Sequence, residues 1–465
     1  MCTIRIFALS ILLVIVAVGG AVAPVSAMTP LDLLPSKDDD ADLPVPPTIP
    51  EGTQIDLEHA VQRGLEANPA IVSARATLKG SEHNVKSSFA DFFFDASASY
   101  GYTHYDRVPK SSGVRGDQDA WAATLSITQP LFKGFGLLSA YQRAQLSKDQ
   151  NDARLYAAEL QVISDVQTNF LALLKARMDV TSKQDAVTRL ESQLKVVQAF
   201  YDVGLRPRVD VLDAEVELAT AQQDLLTARN SYDTQVAKLN TLLNLPLTAE
   251  YDYVGQLAFF PFELGLDESL KRAYANRPDI AIGEKSVSIA EKDAKITAAG
   301  FYPSVDAQFN YNRAGAGLAG ESDRLSTRQE ENWDAGLSAS WTFFEWGSNY
   351  YGHERDLQAV KSLQAELENT RLNAGFEVKR ALLNIKAAAD RVDVAKKSVA
   401  AAKEAYRQQV ARYQAQVGTN TDVLNAQSRL SDSEFELITA LADYHTAVSD
   451  LYIAMGEKNP GLTVQ

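Results

Sequence analysis

The chain has 465 residues, a formal net charge of −15 at pH 7 and a single cysteine, Cys2. This acidity argues against nucleic acid as a partner, because phosphates would repel the protein. One cysteine cannot form an internal disulfide, so folds that depend on disulfides are excluded.

The first residues predict export from the cytoplasm. Arg5 is the only charge among residues 1–27, an apolar run covers residues 6–18, and Val25, Ser26 and Ala27 end the stretch. A positive start, a short apolar core and a small-residue cleavage motif are typical of a secretory signal peptide. We expect residues 1–27 to be removed by cleavage after Ala27. A retained amphipathic anchor is the alternative.

Residues 28–52 form a separate acidic and proline-rich segment. They include three consecutive aspartates at 38–40 and prolines at 44, 46, 47 and 50. Proline interrupts regular hydrogen bonding and like charges repel, so we predict a flexible leader. An acidic binding tail is the alternative interpretation.

The remainder is an internal duplication. Residues 53–250 and 262–458 follow one plan, with a linker at 251–261 and a C-terminal tail at 459–465. Matching residues recur at offsets of 209 or 212: Pro69 with Pro278, Trp121 with Trp333, and Asp210 with Asp422. Each half therefore predicts one structural repeat, made of a short helix, two strands, a long helix, a tip and a second long helix.

The first helix of the chain is predicted to be capped near Asp56 and to continue past Asn68 and Pro69. Polar and apolar residues then alternate with a period of two in four segments. Such alternation over about ten residues is typical of a transmembrane β-barrel, whereas a half-buried soluble sheet is the alternative. The predicted strands cover about residues 92–104, 120–132, 303–313 and 333–344.

Long helices are predicted after each strand pair. They cover about residues 137–202, 210–244, 348–416 and 422–456. The longest would extend about 100 Å at 1.5 Å per residue. Leu437, Leu441, Tyr444, Val448 and Leu451 are spaced by alternating steps of four and three residues, which indicates a coiled-coil seam. An ordinary helical bundle would show a wider apolar stripe.

Four strands cannot close a barrel, and an open edge in lipid leaves backbone groups unpaired. Single-chain bacterial barrels begin at eight strands. Several copies are therefore expected to share one barrel, and the strand count by itself permits two, three or more.

Three stretches resemble a known family. Residues 127–134 read ITQPLFKG, and residues 201–214 contain YDVG followed by VDVLDA. With LLNLP at 242–246, they resemble the TolC-like outer-membrane efflux proteins, the outer-membrane factors of tripartite efflux and type I secretion systems. The resemblance covers nearly the whole chain expected to remain after cleavage at Ala27, including its duplication.

The resemblance implies a mainly α-helical fold with a transmembrane β part. Three copies would share a twelve-stranded outer-membrane β-barrel, continued by a long α-helical coiled-coil barrel across the periplasm. It implies a passive exit duct that works with a periplasmic adaptor (membrane fusion) protein and an inner-membrane pump of the RND or ABC type. A periplasmic adaptor or structural coiled-coil protein, and a metabolite porin, are the alternative functions.

The resemblance also implies an entrance at the helix tips, constricted by acidic side chains. Asp210 and Asp213 match these positions in the first half, and Asp422 and Asn425 match them in the second; Tyr413 matches a gate tyrosine. Capping of the helices is the alternative role for Asp210 and Asp422. The second tip departs from the family, because Gln416 replaces the glycine seen as Gly204, and Gly418 occupies a position where an arginine can occur.

Aromatic residues near the ends of the returning strands are expected to form a membrane-interface girdle, with packing between strands and helices as the alternative. They are Phe132, Phe135, Phe343, Phe344 and Trp346. No nucleophile elbow, phosphate loop or zinc motif is present, and the five histidines are scattered. We therefore expect no enzymatic activity, no cofactor and no metal. The cargo, whether drug, metal or secreted protein, is left open.

Overall fold

A computed structural model describes residues 50, 52–106, 110–111, 114–115, 118–249, 251–315, 330–459 and 461–462. They belong to one compact unit, Thr48–Gln465. The predicted signal peptide and all but residues 50 and 52 of the predicted leader lie outside the described residues.

Each repeat has two consecutive short helices where a single short helix was expected. In the first repeat α1 (Leu57–Ala67) follows its N-cap Asp56, and α2 (Pro69–Ala90) begins at a proline. The prediction of one helix running past Asn68 and Pro69 was wrong, because proline disfavours helical backbone angles in the residue before it. Asn68 is extended, with φ −69° and ψ 127°, and its side chain accepts a hydrogen bond from the Ala70 N–H.

The second repeat bends in the same place, where Arg277 separates α5 (Leu266–Asn276) from α6 (Pro278–Ala298). Both bends are tied to the end of a long helix. Asn68 Nδ2 donates to the Leu242 carbonyl at 3.0 Å, and Arg277 Nη1 donates to the Ala454 carbonyl at 3.1 Å. A short parallel pair is formed by β1 (Gln54–Ile55) and β6 (Asp252–Tyr253).

Four strands form one antiparallel sheet in the order β2-β5-β7-β8. They are β2 (Asp95–His104), β5 (Asp119–Lys133), β7 (Ser304–Gly315) and β8 (Glu330–Ser340). A minor pair, β3 (Lys110–Ser111) and β4 (Val114–Arg115), lies between β2 and β5 in sequence. Strand β8 ends four residues earlier than the expected boundary at 344.

The pairing register sorts the sheet into two chemically different faces. One row across all four strands reads Ser97, Ser126, Asn310 and Asp334, and the adjacent row on the opposite face reads Ala98, Leu125, Tyr311 and Trp333. Because side chains alternate along every strand, this register produces one polar and one apolar face.

Four long helices complete the chain: α3 (Gly136–Asp202), α4 (Arg208–Leu242), α7 (Ser348–Gln414) and α8 (Asn420–Ala454). Helices α3 and α7 have 67 residues each, which corresponds to about 100 Å. Helix α3 packs against α4 and α8, and α7 packs against α8. None of the helices in the described parts of the chain is long and apolar enough to cross a bilayer.

The largest core lies where α3 meets the ends of α4 and α8. Phe170, Tyr253, Leu239 and Tyr444 are almost fully buried there. The Tyr253 hydroxyl donates to Asn240 Oδ1 at 2.5 Å, so the deeply buried phenol has a partner. A second, smaller cluster lies at the helix tips.

Gly134 controls the turn from sheet to helix, and its replacement by alanine is the first test. Its φ is +58°, and a Cβ there would lie 2.4 Å from the Ala299 carbonyl oxygen. We expect Gly134→Ala to lower the free energy of unfolding by more than about 1 kcal/mol. Denaturant titration followed by tryptophan fluorescence measures this. Gly80→Ala is the control, because nothing lies within 4 Å of that position. Equal stabilities for both variants would contradict the argument.

Candidate entrance site at the helix tips

Two helix tips meet at the end of the molecule opposite the sheet. The first connects α3 to α4 through residues 203–207, and the second connects α7 to α8 through residues 415–419. Gly204 has φ +76° and Gln416 has φ +62°. The glutamine thus adopts the same left-handed turn as the glycine it replaces, so the departure in sequence leaves the turn in place.

Tyr413 is the centre of the tip cluster. Its side chain is fully buried against Phe200, at a ring-centroid distance of 5.6 Å, and among Val197, Val211 and Val423. Its hydroxyl has no hydrogen-bond partner among the described residues. Burial raises the pKa of Tyr413, the charge of Asp210 raises it further, and Arg206 lowers it. In this conformation the predicted gate tyrosine is a packing residue.

Arg206 joins the two tips. Its guanidinium lies 5.0 Å from the centre of the Tyr413 ring, and its Nη2 donates to the Gly418 carbonyl at 2.6 Å. One planar group thus combines a cation–π contact with a charged hydrogen bond. Arg206 was not among the predicted site residues. The offset of 212 pairs it with Gly418, the position where an arginine can occur in the family, and this could have identified it.

A buried amide pair makes a second link between the tips. Gln193 Nε2 on α3 donates to Asn420 Oδ1 at 3.0 Å, and Asn420 Nδ2 donates to the Asp210 carbonyl at 3.0 Å. Gln193 and Asn420 are both buried. The first turns of α4 and α8 are therefore held together through a single asparagine.

The predicted acidic residues occupy different environments. Asp422 belongs to a capping box in which Thr419, and not Asp422, is the N-cap. The Thr419 hydroxyl donates to Asp422 Oδ2 at 2.8 Å, and the Thr419 N–H donates to it at 3.1 Å. These bonds hold the pKa of Asp422 below its usual range.

The equivalent position in the first repeat lacks this arrangement. Pro207 is the N-cap of α4 and makes no side-chain capping bond. The Asp210 N–H donates to the Pro207 carbonyl at 3.1 Å. Asp213 and Asn425, one turn further along α4 and α8, are exposed. The structure therefore leaves Asp213, Asp422 and Asn425 open to solvent, Asp210 half-buried and Tyr413 buried.

The predicted girdle aromatics surround the base of the sheet. Phe132 lies within β5 and contacts Phe135 at 5.3 Å, and Phe135 contacts Tyr302 at 6.1 Å. Phe343, Phe344 and Trp346 follow β8 instead of belonging to it, because that strand ends at Ser340. They are strongly exposed, with Trp346 at 89%.

A second aromatic band, not among the predicted residues, lies at the loop end of the apolar face. Tyr102 pairs with Trp121 across β2 and β5, with ring centroids 4.4 Å apart, and Tyr311 pairs with Trp333 across β7 and β8. Aromatic residues thus bound the apolar face at both ends. The aromatics near the ends of the alternating segments were a signal for this band.

The two-faced sheet, the duplicated long helices and the joined tips are features of a channel protein. Comparisons with known proteins identify the family. A protein-family model described as "Outer membrane efflux protein" matches residues 60–245 and 269–457, one segment in each repeat. The chain belongs to the outer membrane efflux protein family. Its predicted family membership, fold class, outer-membrane location and role in efflux or secretion are thereby confirmed.

Relatives and solved structures agree with this assignment. The alkaline protease secretion protein AprF of Pseudomonas aeruginosa is 23% identical over 350 residues, covering 73% of this chain and 70% of that protein. The outer membrane protein TolC of Vibrio cholerae is 21% identical over 407 residues, covering 86% and 90%. The crystal structure of VceC from Vibrio cholerae has a TM-score of 0.73 at 19% identity, covering 86% and 96%.

Removal of Arg206 should loosen the tips. A hydrogen bond from a charged donor contributes about 1.5–3 kcal/mol, less where solvent screens it. We expect Arg206→Ala to speed amide hydrogen exchange in residues 415–419 roughly tenfold, as measured by mass spectrometry on detergent-solubilised protein. Arg208→Ala is the matched control, because it removes an equal charge from the exposed surface of the same tip. Identical exchange in both variants would show that Arg206 does not join the tips.

Proposed function

We propose that this chain is one of three identical protomers of a passive exit duct, without enzymatic activity, that runs from the outer membrane into the periplasm. An inner-membrane pump, acting through a periplasmic adaptor, would supply the cargo. The observation that carries the proposal is the four-stranded sheet with one polar face, one apolar face and two edges.

The edges support assembly from several copies. Among the described residues β2 and β8 each pair with one strand only. Unpaired backbone groups cost several kcal/mol each in lipid, so β8 of one copy requires a strand such as β2 of the next. Three copies would then close a twelve-stranded sheet whose polar side chains line the passage. The resemblance to TolC-like proteins, and not the geometry, selects the number three.

The apolar face has the height that a membrane requires. Along β5 it extends from Trp121 to Phe132, about 37 Å at 3.4 Å per residue. With a strand tilt of about 40° this becomes about 28 Å, close to the apolar band of about 25 Å in outer-membrane proteins. At the loop end the same face finishes in polar groups, with His104 Nδ1 2.7 Å from Asp119 Oδ1.

The long helices support the periplasmic part. A length of about 100 Å is about three times the hydrocarbon core of a bilayer. Large apolar side chains remain exposed along α7 and α4, as expected for faces that pack against further copies. They include Leu372, Phe376, Leu383, Val394, Val216 and Leu226.

The names of two relatives state what those proteins secrete or export. AprF is named for alkaline protease secretion, and OpmQ of Pseudomonas aeruginosa, 21% identical over 417 residues, is named for pyoverdine export. We propose the same two cargo classes, proteins or small molecules, for this chain. The names describe secretion and export and support a role without catalysis.

Deletion of the gene from its host tests the duct. We expect one or a few proteins to disappear from the culture supernatant if the cargo is protein, because a passive duct is the last step of their export. With an unchanged supernatant, we expect increased susceptibility to drugs or metals. Proteomics of the supernatant and growth-inhibition assays measure these effects, with a complemented strain as control. A deletion strain that matches its parent in both assays would refute the proposed function.

The entrance carboxylates can be tested separately. We propose that Asp422 favours cations at the tips, since rings of carboxylates do so in channels. Asp422→Asn should therefore lower the cation-to-anion permeability ratio in planar bilayers. Because hydrogen bonds from Thr419 lower the pKa of Asp422, its carboxylate stays charged at more acidic pH than that of an ordinary aspartate, and wild-type selectivity should persist to correspondingly lower pH. An unchanged reversal potential in Asp422→Asn would remove this role.

A further inference from the structure

A β-bulge at the base of the sheet changes the face on which the following side chains of β5 lie. Pro130 pairs with Asp306 across β5 and β7, but the next pairs are Phe132 with Val305 and Lys133 with Ser304. One extra residue, Leu131, is therefore inserted, and the alternation of faces reverses after it. Without the bulge Lys133 would lie on the apolar face; with it, Lys133 lies on the polar face.

The bulge brings Lys133 onto Asp306. Lys133 Nζ lies 2.6 Å from Asp306 Oδ2, and the carboxylate side chain is only 15% exposed. The other oxygen, Oδ1, is buried without a hydrogen-bond partner among the described residues. The ammonium group is therefore the main compensation for this carboxylate. Because the pair is partly buried, salt screens it less than a surface pair.

The lysine also borders open space. A cavity of about 350 Å³ is lined by Lys133, Ser304, Ser340, Glu345 and Asn349, among others. The Lys133 side chain is 36% exposed, so it is accessible to water while its ammonium group contacts Asp306.

The surrounding charges make Lys133 distinctive. Three successive rows of residues on the polar face each contain one carboxylate. These carboxylates and their cross-strand partners are Asp334 with Asn310, Asp95 with Thr128, and Asp306 with Pro130. Among the described side chains of the polar face, Lys133 is the one cation. Arg313 of β7, the other arginine or lysine in the described strands of this sheet, pairs with Ala123 on the opposite face.

We propose that Lys133 is a charge-selectivity determinant of the passage, held in place by the bulge and acting at the base of the sheet, far along the chain from the tip carboxylates. The inference rests on the proposed duct, in which the polar face lines the passage. Fixed charges that ring a passage set its preference between cations and anions. In a trimer the loss of Lys133 changes this ring by three charges.

The test changes the charge after the protein has folded. The only natural cysteine, Cys2, lies in the predicted signal peptide. Lys133→Cys in the full chain therefore offers one thiol per mature protomer to methanethiosulfonate reagents applied to channels in planar bilayers. Reversal potentials in a KCl gradient measure selectivity, and Arg313→Cys, on the opposite face of β7, is the matched control.

We expect Lys133→Cys to raise the potassium-to-chloride permeability ratio about twofold or more. The positively charged ethylammonium reagent should restore the wild-type value, and the negative sulfonatoethyl reagent should raise the ratio further. Asp306→Asn should shift the ratio toward anions, and Lys133→Met with Asp306→Asn should return it close to wild type. Control channels should respond to neither reagent.

Two results would overturn the inference in distinguishable ways. Conducting Lys133→Cys channels whose reversal potential neither differs from wild type nor responds to the reagents would show that the pair only stabilises the bulge. Purified wild-type protein that forms no conducting channel would refute the proposed duct itself, and the selectivity role with it.

Discussion

Backbone hydrogen bonding at the edges of the sheet is the constraint on which the rest depends. Among the described residues, strands β2 and β8 each have one unpaired edge of N–H and C=O groups beside an apolar face, and lipid offers no partner for such groups. In the proposed duct, association of copies follows from this need. Once the sheet closes, the helices that leave it must run side by side, and their exposed apolar residues become contact surfaces. The positive φ of Gly134 lets that exit begin within one turn of β5.

Features with a clear period could be predicted from the sequence. The alternation in the four segments and the helical spacing from residue 137 onward placed the sheet and the long helices close to their observed bounds. Features that depend on a distant partner could not. The bulge at Leu131 exists only in the pairing of β5 with β7, and the contact of Arg206 with Gly418 joins residues 212 positions apart. The bend at Asn68 was overlooked although Pro69 marks it.

The two repeats contribute different residues to the tips. The second repeat contributes the capping box of Asp422 and the buried Tyr413, and the first contributes Arg206, which contacts Tyr413 and Gly418. Neither tip by itself contains the capping box, the buried tyrosine and the arginine. The residues matched to the family's entrance lie in both tips, and Arg206 of the first tip contacts Tyr413 and Gly418 of the second.

The bend between the short helices shows what a duplicated protein retains. Asn68 reaches the carbonyl that ends α4, and Arg277, its counterpart at an offset of 209, reaches the carbonyl that ends α8. An amide performs the task in one repeat and a guanidinium, also paired with Asp279 and Glu377, performs it in the other. Both repeats thus have a hydrogen-bond donor at the end of a long helix, although the residue that donates differs. The common plan of the two repeats is therefore more evident in this contact than in the identity of the residues that make it.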